Sequence, residues 1–377
     1  MDAFKSFLGW IVNMFFYLFP TQKKVVFINF AGRGYGDSPK YISEEILRQS
    51  LPYDLVWLCY EMNNTFPDGI RKVKFYSLKS RYELATARVI ISNTKGRLPY
   101  RKKSSQYYIQ TWHGGFGVKY IEKDAEQYLS KKYVRDSKYD SSITDLILSG
   151  SEFQTRVIQD SFWYNGEIFK KGVPRNDIFF NRSEKAVKNL KKLYGFNENT
   201  KIVLYAPTFR DDDNIDAYKL NASMLLHALR KRTGGEWKLI IRLHPKVAGI
   251  SHIFKYDNDV INGSVYADSQ ELLVFSDLLI TDFSSTMMDF GIMKKPVLLF
   301  ITDLEDYVKK CRGIRPLFYQ LPFELSKSNE ELCCAIMKFD ANSYLHRLNT
   351  FMDRYYHSYD DGHASEYVVE RIKEHMF

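Results

Sequence analysis

Residues 277–301 read DLLITDFSSTMMDFGIMKKPVLLFI. Asp277–Thr281 and Pro296–Ile301 are short, nearly unbroken apolar runs, the pattern of strands buried on both faces. Between them the polar turn Asp282–Ser285 leads into Thr286–Met293, where Met287, Phe290 and Met293 recur at helical spacing. Strand, helix and strand in this order predict a parallel βαβ unit.

The same alternation extends outward in both directions. Upstream lie predicted strands at Ile202–Ala206 and Trp237–Leu243, with helices at Ala222–Arg230 and Ser269–Ser276. The first half repeats it, with strands at Lys24–Phe30, Leu55–Cys59, Val89–Asn93 and Tyr107–Trp112, and helices at Tyr41–Gln49 and Tyr82–Ala87. Glu366–His375 reads as a closing helix. The expected fold class is α/β with two Rossmann-type doubly wound domains. Their boundary falls between Phe180 and Lys201, near the Lys-rich helical segment Glu184–Tyr194. This divides the chain into 1–22, 23–185 and 186–377.

Composition agrees with a folded two-domain chain. It has 377 residues, 45% hydrophobic and 16% aromatic, which excludes a disordered segment. Lys and Arg outnumber Asp and Glu, 54 to 45, giving a formal charge of +9. That excess suits an anionic partner. The cations are dispersed among helices instead of forming one stripe interleaved with aromatics, so no nucleic-acid partner is expected. The four cysteines have no metal spacing and read as reduced thiols. No metal or cofactor is expected, and the acidic run Asp211–Asp213 reads as a surface loop.

From Ser6 to Gln22 the chain carries no charge and is rich in aromatics, with Asn13 inside it, Pro20 near its end and Lys5, Lys23 and Lys24 at its flanks. It is shorter than the ~20 residues a spanning helix needs. The expectation is an amino-terminal membrane-associating helix lying on an anionic surface, with Trp10 and Tyr17 at the interface and the lysines toward headgroups. A helix docked on the first domain is the alternative.

The polar motifs fall at carboxyl ends of predicted strands, where open α/β sheets bind ligands. His113 in QTWHGG follows a strand; a histidine there can serve as a general base, while Gly114 and Gly115 let an acceptor approach. Arg210 ends YAPTFR, and a guanidinium can grip phosphate bidentately. Arg242, His244 and Lys246 alternate through IRLHPK, a spacing that in a strand turns all three to one face. Asp282, Ser284 and Ser285 form a strand-to-helix turn with free amides for an anion. Gly32, Gly34 and Gly36 lack the dinucleotide-binding spacing; Gly34 is assigned to a flexible turn on the acceptor side.

Taken in order, TWHGG, GVPRND (Gly172–Asp177), YAPTFR, RLHP, TDFSS with Asp289-Phe290, KKPVLLF and DDGHASE (Asp360–Glu366) resemble the CDP-glycerol glycerophosphotransferase family of teichoic-acid and capsular-polymer enzymes. The likeness runs from His113 to Ser365, about two thirds of the chain, and is looser over the first hundred residues. It implies a GT-B-like fold, two domains facing a central cleft, with the donor in the second and the acceptor entering from the first. By motif, His113 and His244 are the histidines needed for activity. Arg210, Arg242, Lys246, Ser284, Ser285 and Arg175 belong to the donor's phosphates, and Asp282 orients that loop or touches the ribose. The reaction implied is transfer of an alditol phosphate from CDP-glycerol, or from CDP-ribitol, to a hydroxyl of a lipid-linked saccharide or polymer, releasing CMP at the cytoplasmic face of the bacterial membrane. A GT-B nucleotide-sugar glycosyltransferase is the remoter alternative. Two departures, Phe323 after Pro322 and His363 where the family commonly has Lys, leave the alditol open. The oligomeric state is not legible.

Overall fold

The computed structural model describes residues 11–377 except 63, 64, 100, 182, 211–214, 311 and 312; the side chains of 181, 245, 246, 248, 309 and 310 are also outside the description. Two compact units emerge. The first comprises Met1–His113, Leu129–Asp177 and Ser358–Phe377, the second Gly114–Tyr128 and Ile178–His357.

The first unit is built on seven parallel strands, β1 (Gln22–Ile28), β2 (Asp54–Cys59), β3 (Ile70–Lys74), β4 (Ala87–Ser92), β5 (Tyr107–Gln110), β6 (Leu146–Leu148) and β7 (Glu167–Phe169), in the order 3-2-1-4-5-6-7. Alternate residues of one strand serve opposite faces. Val25 and Phe27 meet Trp57, Ile91 and Ile42 on one face, while Val26 and Ile28 meet Leu58, Ile90 and Leu84 on the other. The second unit holds six parallel strands, β8 (Lys201–Ala206), β9 (Trp237–Ile241), β10 (Val260–Asn262), β11 (Leu278–Thr281), β12 (Val297–Phe300) and β13 (Glu324–Ser326), ordered 10-9-8-11-12-13. In each sheet the strand order reverses beside the central strand, so the switch points lie after β1 and β4, and after β8 and β11.

The domain boundaries expected from the sequence need correction. The closing helix Ala364–Glu374 belongs to the first unit, because Val368, Val369 and Ile372 are fully buried against one face of its sheet. Conversely, 114–128 belongs to the second unit: Phe116 packs on Phe351 and Tyr356, Arg315 donates to the Val118 carbonyl, and its guanidinium pairs with Asp124. Gly114 and Gly115, expected on the acceptor side of the first domain, open this segment.

GVPRND and DDGHASE turn out to be the two halves of a latch that fastens the chain end to the first unit. Asp177 accepts from the amides of Ala364 (2.9 Å) and Ser365 (2.7 Å), capping the closing helix from a distant segment. Asp360 accepts from the Val173 amide and the Asn176 side chain. Gly172 is left-handed (φ 85°), and a Cβ there would sit 2.9 Å from the Asp360 carboxylate, so only glycine fits. Arg175, expected at the donor phosphates, is instead buried in the first unit, 3.7 Å from Asp37. Replacing Asp177 by alanine strands two buried amides and is expected to destabilise the first unit by about 2 kcal/mol, read as a lowered urea midpoint.

The described part of the amino-terminal segment, 11–17, is helical and divides its faces. Phe16 and Tyr17 pack on the first unit's core, while Ile11, Met14, Phe15 and, just beyond, Leu18 are exposed. Lys24, expected to face headgroups, is 1% exposed and pairs with Glu83 at 2.6 Å. Tyr17, assigned to an interface, lies under the Lys103 ammonium. Lys5 and Trp10 lie outside the described residues. Among the described residues no helix is long and apolar enough to cross a membrane.

Candidate active site

At the switch point of the first sheet, Asn29 and Asn93 follow β1 and β4 and hold each other: Asn93 donates to the Asn29 side chain at 2.8 Å and accepts from the Phe30 amide at 2.7 Å. The Asn93 backbone carbonyl then receives Nδ1 of His113 at 2.7 Å. A carbonyl can only accept, so Nδ1 carries the proton and Nε2 of the neutral ring keeps its lone pair. The exposed His113 ring is braced by Trp112 and Phe30, 4.5 and 5.6 Å away between centroids.

Strand β5 stops at Gln110, two residues short of the expected end, because Trp112 turns left-handed (φ 53°). A bulky residue in that region is strained and must be held by its surroundings. Gln110 does this, accepting from the Trp112 amide at 3.0 Å and donating to Asp140 at 3.1 Å. Asp140 also accepts from Tyr108 and the Gly96 amide. Burial raises its pKa to about 6, against the pull of Lys95 and these hydrogen bonds. Gly34, in the loop after β1, is left-handed (φ 65°), and its carbonyl accepts from the Trp57 indole.

At the switch point of the second sheet, TDFSS and YAPTFR are tied together. Asp282 accepts from the amides of Thr208 and Phe283 and from Arg210, contacts that tie the two loops to each other. Arg210 itself departs from expectation. Four of the five N–H donors of its guanidinium are committed, two to Asp303 (2.7 and 2.9 Å), one to Asp282 (2.9 Å) and one to the Thr208 carbonyl (2.7 Å). The group is buried and stacked against Phe283 and Tyr307. Burial pulls its pKa down, but Asp303 and Asp282 more than reverse this and hold it charged. It is an internal clamp between loops, not an open phosphate fork.

Arg242 departs in the same way. Strand β9 ends at Ile241, so the strand alternation expected through 242–246 does not extend that far. The Arg242 guanidinium donates to the carbonyls of Gly263, Tyr266 and Ala267, pinning the loop after β10, and burial lowers its pKa. His244 remains exposed, with its ring 4.6 Å from that of Phe209 in YAPTFR. The side chain of Lys246 and the run Asp211–Asp213 lie outside the described residues. Ser284, rather than the N-cap residue Ser285, supplies the turn's side-chain contacts, accepting from the amide (3.4 Å) and hydroxyl (2.9 Å) of Thr286.

The structure therefore brings together His244, Phe209, Arg210, Asp282 and Ser284 around the loops of one sheet edge in the second unit. It keeps His113 and Gly34 with the first. Asn93, Phe209, Asp303 and Asp140 were missed by sequence reading. Asp303 had a usable signal, an acidic residue just beyond the end of β12 in a sheet whose other polar motifs occupy the same edge. His363 pairs with Glu366 at the surface, and Phe323 is buried against Tyr344, so both family departures have structural settings of their own.

Comparison with known proteins places this architecture. The chain is 31% identical to the teichoic acid poly(glycerol phosphate) polymerase of Staphylococcus epidermidis over 93% of its own length and 50% of that protein. It is 29% identical to the polymerase of the same description in Bacillus spizizenii, covering 93% and 92%. The chain thus spans about half the length of some curated relatives it matches and nearly all of another. The solved wall teichoic acid polymerase TagF superposes with a TM-score of 0.85 at 28% identity, covering 99% of this chain and 96% of that one, so the two parallel-sheet units form a GT-B-like fold. A family model described as CDP-Glycerol:Poly(glycerophosphate) glycerophosphotransferase matches residues 11–374. With that match over nearly the whole chain, the protein belongs to the CDP-glycerol:poly(glycerophosphate) glycerophosphotransferase family.

Proposed function

We propose that this chain transfers an alditol phosphate, glycerol phosphate in preference, from a CDP-alditol to a hydroxyl of a lipid-linked or polymeric acceptor in teichoic-acid or capsule synthesis. The acceptor oxygen attacks the phosphorus that bears the alditol, the bond to the cytidylyl phosphate breaks, and CMP leaves. Such a transfer depends on positioning and charge neutralisation more than on covalent chemistry.

One observation carries the reading. His113, three residues beyond strand β5 on the exposed surface, has Nδ1 committed to a backbone carbonyl, which makes Nε2 the ring's proton acceptor. In this reading Nε2 takes the acceptor proton. His244, exposed beside Phe209, serves the donor's diphosphate together with the amides and hydroxyls of the Ser284–Ser285 turn. Arg210, Arg242 and Asp282 act by holding those loops in register. Lys246 is proposed as a further phosphate contact on its sequence position alone. No resident cofactor enters the reaction.

The exposed apolar stripe Ile11, Met14, Phe15 and Leu18, at i, i+3, i+4 and i+7, supports peripheral attachment to the cytoplasmic face of the membrane. The test is CMP release by purified protein with membranes, offering CDP-glycerol and CDP-ribitol separately. Acceptor-dependent CMP from CDP-glycerol, abolished in His244→Ala, is expected. CMP from CDP-ribitol alone would reassign the alditol. No CMP from either, with release of a nucleoside diphosphate from a nucleotide sugar, would replace the reading with glycosyl transfer.

A further inference from the structure

Residues 95–103 read KGRLPYRKK, five cations in nine residues with no acid. This loop borders a cavity of about 680 Å³ lined by Arg97, Leu98, Pro99, Arg101, Lys102 and Tyr139, with Ser142 and Ile143 completing it. Its volume is that of a small-molecule site. Its lining is divided between guanidinium or ammonium groups and apolar or aromatic surface. Lys102 is neutralised by Asp145 at 2.5 Å, and Arg97 stacks over the Tyr139 ring at 4.9 Å. Among the described residues neither Arg97 nor Arg101 has an acidic partner, and both are exposed.

The same loop is fastened to the helix 11–17. Asn13 donates to the Pro99 carbonyl and accepts from Arg81 at 2.9 Å. Lys103 donates to the carbonyls of Phe19 (2.6 Å) and Ala85 (2.7 Å), with its ammonium 5.2 Å from the Tyr17 ring. The segment that carries the apolar stripe and the loop that lines the cationic cavity are therefore fastened together within the first unit. With that stripe buried in acyl chains, a loop fastened to the same segment lies close to the headgroups, where guanidinium groups meet phosphates.

We propose that this cavity is a binding site for the phosphorylated headgroup of a membrane lipid, with Arg97 and Arg101 as the phosphate ligands and Leu98, Pro99 and Ile143 contacting the start of the acyl region. The inference rests on the membrane reading above and names the residues that give it lipid selectivity.

Vesicle co-sedimentation tests it, with phosphatidylcholine vesicles and with equal parts phosphatidylcholine and phosphatidylglycerol. Wild type is expected to bind the mixed vesicles, and Arg97→Ala/Arg101→Ala to bind them at least about tenfold more weakly. Both arginines are exposed, so the double variant should keep its melting temperature; Arg101→Glu, which reverses a single charge, gives a second, independent loss. Phe15→Ser is expected to weaken binding to both kinds of vesicle. Double-variant binding equal to wild type overturns the cavity assignment and leaves membrane attachment standing. Failure of wild type to bind either vesicle overturns both. Glycerol 3-phosphate distinguishes the source: displacement of wild type from mixed vesicles by millimolar amounts would mean a free phosphate site and overturn the lipid assignment.

Discussion

His113→Ala is expected to lower acceptor-dependent CMP release by about 10²–10⁴-fold while leaving the chain folded. The size follows from the work assigned to the ring, taking the proton from an acceptor hydroxyl as the new bond to phosphorus forms. The specificity follows from the Asn93 carbonyl, which fixes the proton on Nδ1 and leaves Nε2 as the base. Loss of the exposed ring removes edge contacts with Trp112 and Phe30 but opens no cavity in the core. Unfolding midpoints should therefore match wild type. The loss should sit in kcat rather than in the donor's KM, because the ring acts on the acceptor. Turnover within a few-fold of wild type would remove His113 from the proton transfer. An equal loss of stability and activity would show a structural role instead.

The second large effect is on stability. Arg210→Ala leaves the buried Asp282 and the largely buried carboxylate of Asp303 facing a cavity without the guanidinium they share. Breaking a buried pair on one side costs roughly 3–5 kcal/mol, a large share of the ~5–15 kcal/mol that holds a domain together. The second unit should melt well before the first, visible as a split thermal transition. Arg210→Lys restores charge but not the two parallel bonds to Asp303, and should recover only part of the loss. A double-mutant cycle with Asp303→Asn reads the coupling directly. An Arg210→Ala variant as stable as wild type, but unable to bind CDP-glycerol, would return Arg210 to the phosphate role that its motif suggests.

Several elements were invisible to sequence reading for a common reason. Strand β3, IRKVK, carries three cations in five residues, and β6, β7, β10 and β13 are three residues each. Such segments become strands only because a neighbour offers a ladder to pair with, and four of them, β3, β7, β10 and β13, sit at sheet edges where pairing is one-sided. The strand ends at Gln110 and Ile241 were likewise decided by loop geometry beyond them, a left-handed Trp112 and a 3₁₀ turn from Pro245. The placement of His113, Asp282 and Ser284 was legible because each follows an apolar run immediately.

What the residues determined by themselves was the periodicity: apolar runs of four to seven residues alternating with helical segments dictate parallel sheets, and parallel sheets gather their polar motifs along one edge. Hydrophobic patterning is a local property and survives in the linear chain. The employment of each charge is not. Arg210 reads as a phosphate ligand until the fold brings Asp282, 72 positions away, and Asp303, 93 positions away, against it. Arg175 is assigned to the donor's phosphates, and the closing helix to the second domain, until Asp177 and Asp360 latch across more than 180 positions. A guanidinium binds whichever carboxylate or carbonyl it can reach without solvent between them, and only the tertiary structure decides which one that is.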